Sequence, residues 1–193
     1  MSNRNSMVIE KDQKILEAAF KVFAAYGFKR VTMADIAKEA GMSRPALYLV
    51  FPNKEAIFRA MVEKFNNQAL NENKEGVSKL NELKEQLEFL FENWLVQTYE
   101  MIHASPHGSE LIDEGYGIAG DLMDRLYRSY EGLLLEIISP RLDQLEKEEI
   151  DAQTFVHLIR LSANSCKLQA NSVEELRGLL SVLIQTILKV IKD

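Results

Sequence analysis

The sequence predicts an all-α protein. Apolar residues recur with helical period along nearly every long segment, and none sustains the alternation of a strand. Only four prolines, at 45, 52, 106 and 140, punctuate the 193 residues. Ile15, Ala19, Val22, Phe23 and Tyr26 share one helical face, and Gly27 follows as a left-handed stop. Thr32 and Asp35 have capping-box spacing and open a short second helix that ends at Gly41. Ser43 caps a third helix running to about Val50. Pro52 ends it, because the residue before a proline is driven out of the helical region. Asn53 caps a long fourth helix. Leu80, Leu83, Leu87, Leu90, Trp94 and Met101 predict a further amphipathic helix stopped near Pro106. Leu122, Leu126, Leu133 and Ile137 predict one stopped at Pro140, and Phe155, Leu158, Ile159 and Ser162 another. Ser172 and Glu175 form a capping-box pair that opens the last helix, which reaches Ile191. The count is about nine.

Bulk properties narrow the function. No apolar run nears the roughly 20 residues of a membrane span, and the first twelve residues lack the apolar stretch of a secretory signal. The single cysteine, Cys166, forbids an internal disulfide and fits a reducing, cytoplasmic setting. Cys166 itself is expected to be a buried small hydrophobe. The net charge of -6 is unevenly spread: residues 1–55 hold nine Lys/Arg and six Asp/Glu, and the rest fourteen and twenty-three. A basic N-terminal unit on an acidic body suits an anionic partner for the former. Enzymatic motifs are missing: there is no glycine-rich phosphate loop, Gly-x-Ser-x-Gly or His-Glu-x-x-His, so no catalytic residue and no cofactor are assigned. His103 and His107 are four apart, but Pro106 intervenes and no carboxylate or cysteine completes a set, so no metal is expected.

The stretch from Val31 to Phe51 carries the function. Two short helices meet across Ala40-Gly41-Met42-Ser43, with Gly41 supplying positive φ and Ala37 the small residue at the crossing. Ile36, Ala40, Met42, Leu47 and Phe51 are expected to turn inward, which leaves Arg44, Pro45, Ala46, Tyr48 and Leu49 outward. Arg44 and Lys54 each sit at the first position of a helix, where a cation opposes the macrodipole by about 0.3–1 kcal/mol. A bound phosphate would relieve both.

These residues, with Phe20, Gly27, Phe28, Val31-Thr32-Met33-Ala34-Asp35-Ile36-Ala37, Leu47-Tyr48 and Asn53-Lys54-Glu55, resemble the N-terminal signature of tetracycline-repressor (TetR) regulators over about residues 10–60. The resemblance implies a helix-turn-helix DNA-binding domain over 1–53 and a helical effector-binding and dimerisation domain over 54–193. It implies double-stranded operator DNA as partner. Thr32, Tyr48 and Lys54 would touch phosphate, and Arg44, Pro45, Ala46 and Leu49 would face bases. The run Tyr48-Leu49-Val50-Phe51 departs from the family's more polar pattern there, so Arg44 is the one expected hydrogen-bonding reader.

In the body, eleven of the nineteen residues from Val173 to Ile191 are apolar, more than one buried stripe needs. Leu176, Leu180, Leu183 and Ile187 are the expected homodimer face, with Gly178 permitting close approach. Trp94, Tyr99, His103, Tyr116, Met123 and Tyr127 are candidates to line a pocket for an apolar or aromatic effector. Glycines at 108, 115, 117 and 120 are expected to break the helical pattern beside it.

Overall fold

The structure, a computed structural model, describes residues 2–191, with side chains from Asp12 onward. Those residues form helices joined by short connections, and no strand occurs among them. The helices are α1 (Ser2–Tyr26), α2 (Met33–Glu39), α3 (Arg44–Tyr48), α4 (Lys54–Val77), α5 (Leu83–Phe91), α6 (Gln97–His103), α7 (Gly108–Ile138), α8 (Leu142–Lys147), α9 (Ala152–Gln169) and α10 (Val173–Ile191). A π-helical segment, Glu92–Val96, joins α5 to α6 as one rod, and a 3-10 turn, Ser139–Arg141, lies between α7 and α8.

Local chemistry sets the boundaries. Gly27 and Gly41 hold φ of 82° and 64°, the left-handed region that closes α1 and turns α2 into α3. The Thr32 hydroxyl accepts from the Asp35 N–H while the Asp35 carboxylate accepts from the Thr32 N–H at 2.8 Å, a complete capping box. Ser43 caps α3 through the Ala46 N–H, and Asn53 caps α4 through the Ala56 N–H. At the start of α10 the box is offset by one residue. The Ser172 hydroxyl accepts from the Glu175 N–H, but the Glu175 carboxylate reaches back to the N–H of Asn171.

The chain forms two compact units. The first runs to Asn66 and takes in Ile102–Met123. Its core closes around Ile15, Ala19, Phe23, Ile36, Leu47 and Ile57, all fully buried. Phe23, Phe28 and Phe58 meet pairwise with centroids 5.1–5.8 Å apart. Leu111 and Ile118 of α7 pack on the same cluster. The second unit comprises Asn67–Met101 and the chain from Asp124 on. Leu87, Leu90, Leu95, Leu134, Ile138, Ala163 and Leu176 are its wholly buried centre, and Trp94 stacks on Tyr130 at 3.9 Å.

Three expectations bear on these units. Sequence reading divides the chain at 53/54, the start of α4, whereas the compact unit around the short helices continues to Asn66 and recruits part of α7. The glycines at 108, 115, 117 and 120 lie within α7, which is two helical stretches joined at a kink: Ala119, between Gly117 and Gly120, leaves helical geometry (φ -128°, ψ 27°), so the expected break is confined to one residue. Leu111 and Ile118 before the kink and Leu122 after it all pack inward. Met101 is 54% exposed rather than inward. The extra residue of a π turn rotates the following stripe by about 100°, which turns Tyr99 inward and moves the stripe from Met101 to the half-buried Ile102.

Thr32→Ala is expected to lower stability by about 1 kcal/mol near neutral pH. The Thr32 hydroxyl and N–H hold the Asp35 carboxyl below the ordinary carboxylate range. A lowered folded value means this stabilisation is present above the unfolded pKa of about 3.9 and is lost as pH falls through the folded value. Urea unfolding of both proteins across that range checks it: the gap between them should narrow in acid.

Candidate nucleic-acid interface

The helix pair α2 and α3 is built from its turn outward. Ala37, 2% exposed, admits the close crossing, and the Met42 N–H donates to the Ala37 carbonyl at 2.9 Å. Leu47 is the wholly buried anchor of α3. Arg44, Pro45, Tyr48 and Leu49 are exposed, as the sequence predicts, and Ala46, expected outward with them, is half-buried. The Arg44 guanidinium lies 5.8 Å from the centroid of the Tyr48 ring, a cation–π pair that stiffens both side chains. Thr32 is exposed, but its hydroxyl donates to Asp35 at 2.6 Å, so its first task is the cap.

Lys54, expected to anchor phosphate, is tied into its own unit. Its ammonium donates to the carbonyls of Phe28, Lys29 and Val31 at 2.9, 3.2 and 3.1 Å, which uses all three N–H bonds. It also lies 4.5 Å from the Phe28 ring centroid. The cation at the start of α4 is therefore compensated from within, by the loop between α1 and α2. The sequence places Lys54 at a helix start but cannot show carbonyls more than twenty residues away.

Sequence reasoning misses a second set of ties. The Arg59 guanidinium makes a two-pronged pair with the Asp121 carboxylate at 2.7 and 2.8 Å and donates to the Ile118 carbonyl, on either side of Ala119. The Lys29 ammonium pairs with Glu114 at 3.1 Å, the Lys29 backbone N–H donates to the Glu110 carboxylate, and Glu114 raises the lysine's pKa. Ser105 donates to the Ala24 carbonyl at 2.8 Å. No periodic signal marks pairs so distant in the chain.

The sequence profile of the family described as bacterial regulatory proteins, tetR family, matches residues 15–61. That span holds the caps, the Gly41 turn, α3 and Lys54. Over these residues the chain has the N-terminal region of the TetR family. It is 37% identical over 90 residues to the HTH-type transcriptional regulator YuxN of Bacillus subtilis, covering 45% of this chain and 31% of that protein. With YerO of Bacillus subtilis the identity is 29% over 134 residues, covering 62% and 45%. The match thus spans less than half the length of either relative. A transcriptional regulator from Rhodococcus sp. Rha1 has the same fold, with a TM-score of 0.71 at 16% identity over 92% of this chain and 96% of that one.

Elsewhere in the chain, two predicted groups are placed differently. Leu176, Leu180 and Ile187 are buried in the core of their own unit and Leu183 is partly buried, so they are not an outward dimer face. The exposed apolar residues are Leu179 and Val182 on α10 and Leu158, Leu161 and Leu168 on α9. Gly178 is exposed, with open space around it. The six pocket candidates divide between the units. Trp94, Tyr99 and Tyr127 belong to the second, where Trp94 stacks on Tyr130, the Tyr99 hydroxyl donates to the Ala170 carbonyl and Arg160 lies over the Tyr127 ring. His103, Tyr116 and Met123 belong to the first, Tyr116 exposed and the Met123 sulfur accepting from Asn66. Helical period selects the inward aromatics without saying which core receives them. Cys166 is half-buried and burial raises its thiol pKa, in keeping with a packing role.

Lys54→Ala should lower stability to urea by about 2 kcal/mol, through the loss of charge-assisted hydrogen bonds to three carbonyls. The salt dependence of DNA binding should change little. A slope lower by about one would instead make Lys54 a phosphate contact.

Proposed function

We propose that this chain is a ligand-responsive, sequence-specific DNA-binding transcription regulator of the cytoplasm, a repressor released from its operator by a small-molecule effector. The observation that carries this reading is the exposed face of α3, held outward by the burial of Leu47 across the Gly41 turn. In a helix-turn-helix the second helix enters the major groove. Arg44 opens that helix and reaches a base edge, where a guanidinium matches guanine O6 and N7. Tyr48 flanks it as a phosphate contact. The relatives named as HTH-type regulators and the basic N-terminal segment support the same partner.

The effector half of the reading is supported by a second compact unit larger than a DNA-binding helix pair requires. A fold neighbour, the TetR-family repressor FadR of Thermus thermophilus (TM-score 0.56, 19% identity), is described in complex with lauroyl-CoA. An apolar or aromatic effector would shift the population toward a state with lower operator affinity, as differential binding requires. Homodimerisation is supported by the exposed leucine stripes of α9 and α10, which amount to a second face beside the buried one. Two heads on one duplex would read half-sites about 34–36 Å apart or a multiple of that.

Selection of operators from random duplex DNA tests the core of the proposal. On the selected site, Arg44→Ala should cost about 1–3 kcal/mol, and less where the contacted base pair is already altered. Equal weakening on all sequences would make Arg44 an anchor rather than a reader. In sedimentation, Leu179→Asp with Val182→Asp should convert a dimer to folded monomer, while Leu180→Asp, whose side chain is buried, should unfold the second unit. A monomeric unmodified chain at micromolar concentration would remove the dimer. Thermal-shift screening with apolar small molecules should find ligands that weaken operator binding; ligands without that effect would remove the coupling.

A further inference from the structure

We infer that Leu49 reads the operator by contact with the 5-methyl group of thymine. This rests on the proposal that α3 enters the major groove. Leu47 is the wholly buried anchor of α3, and successive residues turn by about 100°, so Leu49 and Pro45 each lie about 160–200° from it, on the outermost line of the helix. The Leu49 N–H still donates to the Pro45 carbonyl at 3.2 Å, which keeps Leu49 in helical register directly over Pro45. Leu49 is 86% exposed, more than any other large apolar side chain among the described residues. The next two residues, Val50 and Phe51, turn in against the first unit's core, so Leu49 stands away from that core. Arg44 and Tyr48 lie together on one flank of the line and Ala46 on the other.

The surface that α3 presents foremost therefore has no side-chain donor or acceptor. Polar base edges set against it would lose water without gaining a partner. The one apolar group on the major-groove edges of the four base pairs is the C5-methyl of thymine. Pro45 and Leu49 form the complementary surface, and Arg44 on the flank supplies the hydrogen-bonded contact. The half-site should accordingly join a thymine read by its methyl to the base pair read by Arg44.

The test uses the full chain and the operator it selects from random duplexes. Each thymine is replaced in turn by uracil, which removes the methyl and keeps the pairing. At one thymine per half-site, uracil should weaken binding about fourfold, and about fifteenfold when both half-sites carry it, the effect of about 0.8 kcal/mol for each buried carbon. Leu49→Ala should weaken binding to the thymine operator and abolish the uracil penalty, while Arg44→Ala leaves that penalty in place. Cytosine at the same position should bind worse than 5-methylcytosine. Uracil without effect at every thymine, or a penalty undiminished in Leu49→Ala, overturns the inference while leaving DNA binding intact. Selection that recovers no preferred sequence overturns the DNA-binding reading and this inference with it.

Discussion

The placement of α3 depends on the burial of one side chain, Leu47. A helix of five residues has no stability of its own, since isolated helices need on the order of 12–15 residues to be marginal in water. Its orientation must come from tertiary contact. Leu47 supplies that by inserting fully into the core formed by α1, α2 and the start of α4. Ser43 fixes where the helix begins, and Pro45 restricts its first turn. Once Leu47 is inward, the positions of Arg44, Tyr48 and Leu49 follow from helical geometry alone.

That core is held at its rim by charge as well as by apolar area. The loop from Phe28 to Val31 turns three carbonyls toward one point, and Lys54 fills it with an ammonium. Without that partner the carbonyls would be left under-satisfied at the edge of a ring cluster made by Phe23, Phe28 and Phe58. The same residue opens α4, so the loop and the helix are fixed relative to each other within the first unit. Arg59, more than one turn later on α4, ties down the stretch of α7 around Ala119 in the same way. The first unit is thus a helix-turn-helix reinforced by a segment from far along the chain.

In the second unit, α10 shows how one apolar-rich helix serves two surfaces. Leu176, Leu180, Ile184, Ile187 and Ile191 form the inward stripe, and Leu179 and Val182 lie outside it. Arg177 on the same helix pairs with Glu92 and Glu100, which stand before and after most of the π segment, and so spans the place where the α5–α6 rod changes phase. The outward leucines of α9 and α10 retain the area from which an assembly can be made.

Much of this was legible in the sequence. The all-helical class, the caps at Thr32, Ser43 and Asn53, and the positive φ of Gly27 and Gly41 are local properties, set by residue type and spacing of three or four positions. Inward and outward residues of α3 are equally local, because a single periodic pattern fixes them. The sequence alone could not tell which of the two apolar stripes of α10 faces the protein's own core, since both have the same period. Nor could it tell that the Lys54 ammonium is spent on the Phe28–Val31 loop, that Arg59 meets Asp121, or that Trp94 stacks on Tyr130. Those were decided by tertiary structure, because each joins residues tens of positions apart through short-range forces that act only once packing has brought them within a few ångströms.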